Sequence, residues 1–279
     1  MTRDYLIELL DAYWFAPPVA LWRAVELRAV DELEYRRPLL DLGCGDGLIG
    51  QILFGSERQA DVGLDPWMDQ LRKAAELAVY RHVDQGLGHA LPYVDGFFCT
   101  VFSNSVLEHI PDVNPVIREV SRVLRPGGHF IFTVPSDAFR RMLDGYAARM
   151  EAEDPEGAEA YARAIDEHLE HYHYYAPEEW EDLLSAAGMA LISADYYIPP
   201  EVERVWDQMA TRFGARGRLS LWRIAVSARL RVLGYQRALR RTVVRYLGRR
   251  WRPYYEKKVQ PGAKGGGLLV VAQRKELLS

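Results

Sequence analysis

Apolar positions along the chain fall into two recurring patterns. Short, nearly unbroken apolar runs at Leu39–Leu42, Ala60–Asp65, Phe97–Ser103, His129–Pro135, Met189–Ile198 and Gly265–Gln273 read as strands, several of them covered on both faces. Tyr80–Gln85 reads as a further strand. Between them lie stretches with helical spacing: Leu48–Gly55, Asp69–Val79, Asn114–Leu124 and Pro177–Ala187, the last stopped by Gly188. In Asn114–Leu124 the apolar stripe is Val116, Ile117, Val120, Val123 and Leu124. Strands alternating with helices predict an α/β chain with a mainly parallel sheet.

Three stretches fall outside this alternation. Residues 1–37 read as one or two aromatic-rich helices, broken at Pro17-Pro18. Two readings of them stand: helices that pack on the sheet, or a lid that brings Tyr13, Trp14 or Arg23 to a ligand. Ser136 to Glu170 has no strand pattern and reads as one or two helices. Pro199 to Lys264 reads as helical over Glu201–Met209 and Leu219–Trp251. The expected domains are a cap at 1–37, a core at 38–198 and 265–279, and a basic helical insertion at 199–264.

Charge changes the picture only in that insertion. The chain of 279 residues carries a net charge of −4. Between Arg204 and Lys264, however, stand 17 Lys and Arg against two acids, Asp207 and Glu256. Charge separated in this way suggests a surface for an anionic partner. Arginines mixed with Trp222, Leu230 and Trp251 suit an anionic membrane surface, a cap on an anionic substrate, a grip on nucleic acid, or a helical cover with basic side chains outward. Nucleic acid ranks last, because no known reading module is present. There is no run of about 18 apolar residues and no signal-peptide pattern near Arg3, Asp4 and Glu8. With two cysteines, Cys44 and Cys99, both expected as buried thiols, the expected setting is the cytoplasm, with peripheral contact at the inner membrane surface through residues 204–258.

The chemistry concentrates at the strand ends. Leu39 to Gly50 joins a strand to a helix through Gly43, Gly45 and Gly47. Such a junction offers backbone N–H groups and the positive end of a helix dipole. Leu48 stands where a dinucleotide fingerprint needs its third glycine, which argues against NAD. Asp65 ends the second strand about 20 residues on, where nucleotide-binding α/β units place a carboxylate for ribose hydroxyls. The other reading of Asp65 is a cap for the helix beginning near Trp67. His168, His171 and His173 invite a metal, but no further ligand at matched spacing is evident, and no metal site is expected.

The glycine turn with Asp41, strand-end Asp65, Val106-Leu107-Glu108-His109 and Leu124-Arg125-Pro126-Gly127-Gly128 resemble, in that order, the motifs of class I S-adenosylmethionine-dependent methyltransferases, over about Leu39 to Pro135. The resemblance implies a doubly wound, seven-stranded Rossmann-like sheet whose last strand runs antiparallel, with a helical N-terminal cap and helical insertions. It implies S-adenosyl-L-methionine as cofactor, held by Asp41, Gly43, Cys44, Gly45, Gly47, Asp65, Pro66, Gly88, His89 and Asn104. Leu87 and Cys99 depart from the family, which has Asp at both positions. His171 matches a family histidine just before a Tyr-x-Pro-Glu-Glu stretch.

An alcohol acceptor needs a proton acceptor, and His109 and His171 are the candidates. Glu108 and His109 are neighbours, which on a helix point apart. The competing reading makes Glu108 a backbone cap and His109 a packed imidazole. The expected function is O-methylation of a small-molecule or lipid- or glycan-linked acceptor. The alternative is a degenerate, non-catalytic binding or regulatory protein of the same fold.

Overall fold

The computed structural model describes residues 3–55, 59–212 and 234–276. It divides into two compact units, each assembled from separate stretches of chain.

The first unit comprises Asp31–Asp137, Glu170–Asp195 and Gly267–Ser279 and holds the sheet. Its strands are β1 (Leu39–Leu42), β2 (Ala60–Asp65), β3 (Tyr80–Gln85), β4 (Phe98–Asn104), β5 (Leu124–Pro135), β6 (Met189–Tyr196) and β7 (Gly267–Arg274). They lie in the order β3-β2-β1-β4-β5-β7-β6. The pairs β3–β2, β2–β1, β1–β4 and β4–β5 are parallel, and β7 runs antiparallel to β5 from His129↔Gln273 to Pro135↔Gly267. Every residue of β1 is buried, as expected for a short apolar strand at the centre of a covered sheet. The order reverses between β1 and β4. In an open α/β sheet a ligand crevice forms at such a switch point, outside the carboxyl ends of the strands.

Helices α3 (Leu48–Phe54), α4 (Met68–Glu76), α5 (Asn114–Val123) and α9 (Pro177–Ala186) follow the expected pattern to within a residue or two, apart from an earlier end to α4. Pro177 occupies the first turn of α9, and Gly188, at φ +78°, ends the connection that follows it. One boundary differs. The strand expected from His129 begins earlier, at Leu124. Leu124 already pairs with Phe98, and the register shifts before Thr100 meets His129. The proline and glycines therefore make an irregular strand entry rather than a separate loop.

The second unit comprises Met1–Val30, Ala138–Leu169 and Tyr196–Gly266 and is helical. It contains α1 (Tyr5–Ala12), α2 (Pro17–Val30), α6 (Phe139–Met142), α7 (Asp144–Glu151), α8 (Pro155–Leu169), α10 (Pro200–Arg212) and α11 (Gln236–Glu256). Of the expected helix Leu219–Trp251, the part up to 233 lies outside the described residues. Trp22 meets Phe139 edge-on at 5.8 Å and Trp206 at 5.6 Å, tying α2, α6 and α10 together. Gly248 lets α11 approach α1, since a β-carbon there would lie 2.5 Å from Ile7 Cδ1.

Two of the seven arginines on α11, and Lys257 just after it, pair with acids of this unit. Arg240 pairs with Asp11, Arg252 with Asp4 at 2.6 Å, and Lys257 with Glu201 at 2.6 Å. Arg23, a candidate ligand contact, pairs with buried Glu26 at 2.6 Å, and Glu26 also accepts from the Tyr197 hydroxyl at 2.8 Å. Asp207 accepts from the Tyr161 hydroxyl at 2.8 Å and the Gly145 N–H at 2.9 Å. Among the described residues no helix is long and apolar enough to cross a membrane.

Candidate functional site

The turn after β1 is shaped by positive φ angles that favour glycine: +78° at Gly43, +55° at Gly45 and +78° at Gly47, which caps α3. Two of these positions are also crowded. A β-carbon on Gly43 would lie 2.5 Å from Val106 Cγ2, and one on Gly47 would lie 3.0 Å from the Ala74 backbone. Gly43 thereby lets the turn after β1 touch the segment after β4. Gly45 is the opposite case, since among the described residues nothing beyond its chain neighbours lies within 4 Å of the place a β-carbon would take. Its bare backbone faces open space, as a close-lying cofactor requires.

Asp65 is buried and braces this turn. Its Oδ2 accepts from the Gly45 N–H at 2.9 Å and its Oδ1 from the Trp67 N–H at 2.9 Å. The two readings of Asp65 are thus compatible. It bonds a backbone N–H at the start of α4, and each oxygen has a second lone pair for a ribose hydroxyl. Pro66 follows, and its carbonyl accepts from the Gln85 amide at 2.9 Å.

Asp41 has a different environment. It is buried, and its Oδ2 accepts from the Tyr80 hydroxyl at 2.5 Å. Gly50 leaves the room for that hydroxyl, since a β-carbon there would lie 2.2 Å from it. Burial raises the Asp41 pKa from 3.8 to about 7, with Asp65 adding to the rise and the Tyr80 hydrogen bond opposing it. The native chain therefore holds this proton more tightly than the unfolded one. The associated stability is fully present below about pH 4 and is lost as pH rises toward 7. Asp41→Asn keeps an acceptor for Tyr80 and removes this loss. We expect its melting temperature relative to wild type to rise by a few degrees between pH 5 and pH 8. Parallel pH profiles for the two proteins would refute this account.

Cys44 is buried, and burial pushes its thiol up, followed by the nearby Asp41 charge. Cys99 is buried and donates to the Arg37 carbonyl at 2.6 Å, so the departure from the family Asp is filled by a packed thiol. Leu87, at the other departure, is 51% exposed in a turn closed by the Ala90 N–H to the Leu87 carbonyl at 3.0 Å. Gly88 lies over Val116, and His89 is exposed. Trp67, which the sequence marks only as the start of a helix, is 67% exposed directly after Asp65-Pro66. Trp67 and Leu87 follow adjacent strands β2 and β3 and are apolar surfaces suited to a planar ring.

Beyond β4, Asn104 Oδ1 accepts from the Thr133 hydroxyl at 3.2 Å. Ser105 takes φ +52°, and a single 3₁₀ turn at Leu107–His109 follows. Glu108 is buried, whereas the His109 side chain is 43% exposed, unlike a packed imidazole. The expectation that Glu108 and His109 point apart is not met. His109 Nε2 lies 4.0 Å from Glu108 Oε1. His109 closes a one-turn helix and is followed by extended backbone at Ile110, so the spacing rule for longer helices does not apply.

The residues before α9 come to the same place. The Tyr172 N–H donates to the Glu108 carbonyl at 2.9 Å, and His173 Nε2 donates to the Ile110 carbonyl at 3.1 Å. These bonds stitch the two segments together. The imidazoles of His109 and His171 stand 5.1 Å apart. The Glu170 carbonyl lies 3.2 Å from His109 Nδ1. A carbonyl only accepts, so this nitrogen carries the proton and Nε2 presents a lone pair when the ring is neutral. His171 Nδ1 lies 3.1 Å from the Tyr174 hydroxyl. Burial, then the charges of His109 and His173, lowers the His171 pKa to about 3. His171 is therefore neutral at physiological pH and a weak proton acceptor. His168, the third histidine of this stretch, lies in the last turn of α8 in the other unit.

Residues 40–132 match a family model described as a methyltransferase domain. The chain is 31% identical over 160 residues to the 27-O-demethylrifamycin SV methyltransferase of Amycolatopsis mediterranei, covering 48% of this chain and 58% of that one. It is 28% identical over 169 residues to a ubiquinone biosynthesis O-methyltransferase of Xanthomonas euvesicatoria, covering 58% and 66%. The chain spans about half the length of the curated relatives it matches. The solved geranyl diphosphate C-methyltransferase of Streptomyces coelicolor A3(2) shares the fold, with a TM-score of 0.55 at 14% identity over 92% of this chain and 84% of that one.

Proposed function

We propose that this chain is a class I S-adenosylmethionine-dependent methyltransferase, and an O-methyltransferase acting on a small-molecule or lipid- or glycan-linked acceptor. The observation that carries the reading is the pairing of His109 and His171 beside Glu108, at the carboxyl end of β4 next to the glycine turn. S-adenosylmethionine is the cofactor, and its sulfonium supplies an already activated methyl group. The chain has to bind it, align the acceptor and take up a proton. The bare turn at Gly43–Gly47 gives backbone a close approach, Asp65 receives the ribose hydroxyls, and Trp67 and Leu87 flank the adenine in place of the missing Asp.

The acceptor hydroxyl has a pKa far above neutrality, so its proton must leave as the oxygen takes the methyl. Nε2 of His109 is the better placed base: its lone pair is set by the Glu170 carbonyl, and it lies on the exposed side where an acceptor arrives. His171 is the weaker acceptor and orients the pair. The related O-methyltransferases named above support transfer to oxygen by analogy. Labelled S-adenosylmethionine offered with separate pools of phenols, sugars, amines and thiols tests this. Label found only in the amine or thiol pools would overturn O-methylation.

A second reading concerns α11 and is favoured by one observation. Thr242, Arg245, Tyr246, Arg249 and Arg250 line a cavity of about 470 Å³, apart from the arginines already paired with Asp4 and Asp11. A basic surface with an exposed Tyr246 suits an anionic membrane face or an anionic acceptor. We expect flotation with vesicles rich in anionic lipid, weakened by salt and by the triple change Arg245→Gln, Arg249→Gln, Arg250→Gln. No flotation at low salt would remove the membrane role.

A further inference from the structure

We propose that Glu108, His109 and His171 form a binding site for one divalent transition-metal ion, with open coordination positions for an oxygen of the methyl acceptor. One ligand atom from each lies within 4.8 Å of the other two. Bond lengths of about 2.0–2.2 Å around a tetrahedral ion place neighbouring ligand atoms roughly 3.3 Å apart. Small rotations of the two imidazoles close that gap.

The donor set is informative. Two imidazoles and one carboxylate recur where an ion is held by three protein ligands and left open to substrate, and they favour zinc, iron, cobalt or manganese over magnesium. The surroundings match as well. Ligating histidines ordinarily hold their second ring nitrogen against a carbonyl, carboxylate or other polar group. Here His109 Nδ1 is held by the Glu170 carbonyl at 3.2 Å and His171 Nδ1 lies 3.1 Å from the Tyr174 hydroxyl. The site is also braced before any ion arrives. The Tyr172–Glu108 and His173–Ile110 hydrogen bonds fix the two segments, which lie 62 residues apart between His109 and His171 in sequence, against one another. Glu108 is buried and the His109 side chain is 43% exposed, so the cluster is reached by solvent on the His109 side.

With an ion in place the two histidines act as ligands. An acceptor hydroxyl bound to the ion becomes acidic enough to release its proton to water as the oxygen–methyl bond forms and the sulfur–methyl bond breaks. This use of the ion rests on the O-methylation reading; the binding itself does not.

The test is a titration of chelator-treated protein with Co²⁺, read by visible absorption, with Zn²⁺ competition read by calorimetry. We expect one equivalent of saturable binding, weakened at least tenfold in His109→Ala, His171→Asn and Glu108→Gln. His109 is exposed, so its replacement leaves the fold intact even if the change at buried Glu108 does not. Absence of saturable binding, or unchanged affinity in both histidine variants, would overturn the proposal. S-adenosylmethionine binding and acceptor turnover are read on the same samples. Stoichiometric metal binding without methyl transfer to any hydroxyl would support the site and defeat the O-methylation reading.

Discussion

Replacing Asp65 by Ala lowers affinity for S-adenosylmethionine by about 100-fold, equivalent to roughly 3 kcal/mol. The expectation combines two effects. A carboxylate facing a vicinal diol makes charge-assisted hydrogen bonds worth about 1.5–3 kcal/mol each. The same carboxylate holds the Gly45 and Trp67 N–H groups, so its loss also loosens the turn that the cofactor approaches. Asp65→Asn keeps one acceptor oxygen and loses the charge, and roughly a tenfold loss is expected for it. Calorimetric titration of both variants, with melting curves to confirm folding, measures this. An affinity for Asp65→Ala within threefold of wild type would show that ribose binding lies elsewhere.

The second large effect falls on turnover and spares cofactor binding. His109→Ala is expected to lower kcat by about 10² to 10⁴, the usual contribution of a positioned proton acceptor. Affinity for S-adenosylmethionine should stay within about twofold, because the His109 ring is held by the segment before α9. Two further measurements separate its possible roles. Added imidazole restores part of the rate if His109 is the base. A chelator abolishes wild-type turnover if His109 is a metal ligand. A His109→Ala enzyme with wild-type kcat would exclude it from both.

The sheet was largely legible because each signal is local. Leu39–Leu42 is short, apolar and followed by glycines, and Gly188 closes the connection after α9 on its own. The start of β5 was misread for the same reason. Pro126, Gly127 and Gly128 are turn residues by local preference, and only the pairing of Leu124 with Phe98 makes the segment a strand entry. The site shows the limit more sharply. Glu108 and His109 were visible as a motif, and His171 through its resemblance to a family histidine. That the two imidazoles stand 5.1 Å apart depends on hydrogen bonds between segments some 60 residues apart, which leave no local trace. Tyr80, which clamps Asp41 39 residues away, was hidden in the same way. Asp41 itself reads as a motif acid, yet its environment is that of a buried group held inside the sheet.

The interleaving of the two units bears on how the protein is made. The chain passes from one unit to the other after Val30, Asp137, Leu169, Asp195 and Gly266. In the helical unit, Asp4 and Asp11 wait for Arg252 and Arg240, and Arg28 waits for the carbonyl of Lys257, 229 residues later. In the sheet, β5 and β6 are separated until β7 slides between them. During synthesis at about 5–20 residues per second, β5 therefore stands with an open edge for several seconds. A ribosome stalled near residue 230 would carry two unfinished units, the first helices without α11 and an apolar strand without its neighbour. Chaperone dependence and aggregation of nascent chains should consequently peak before Gln236–Arg274 emerges and fall sharply once it has.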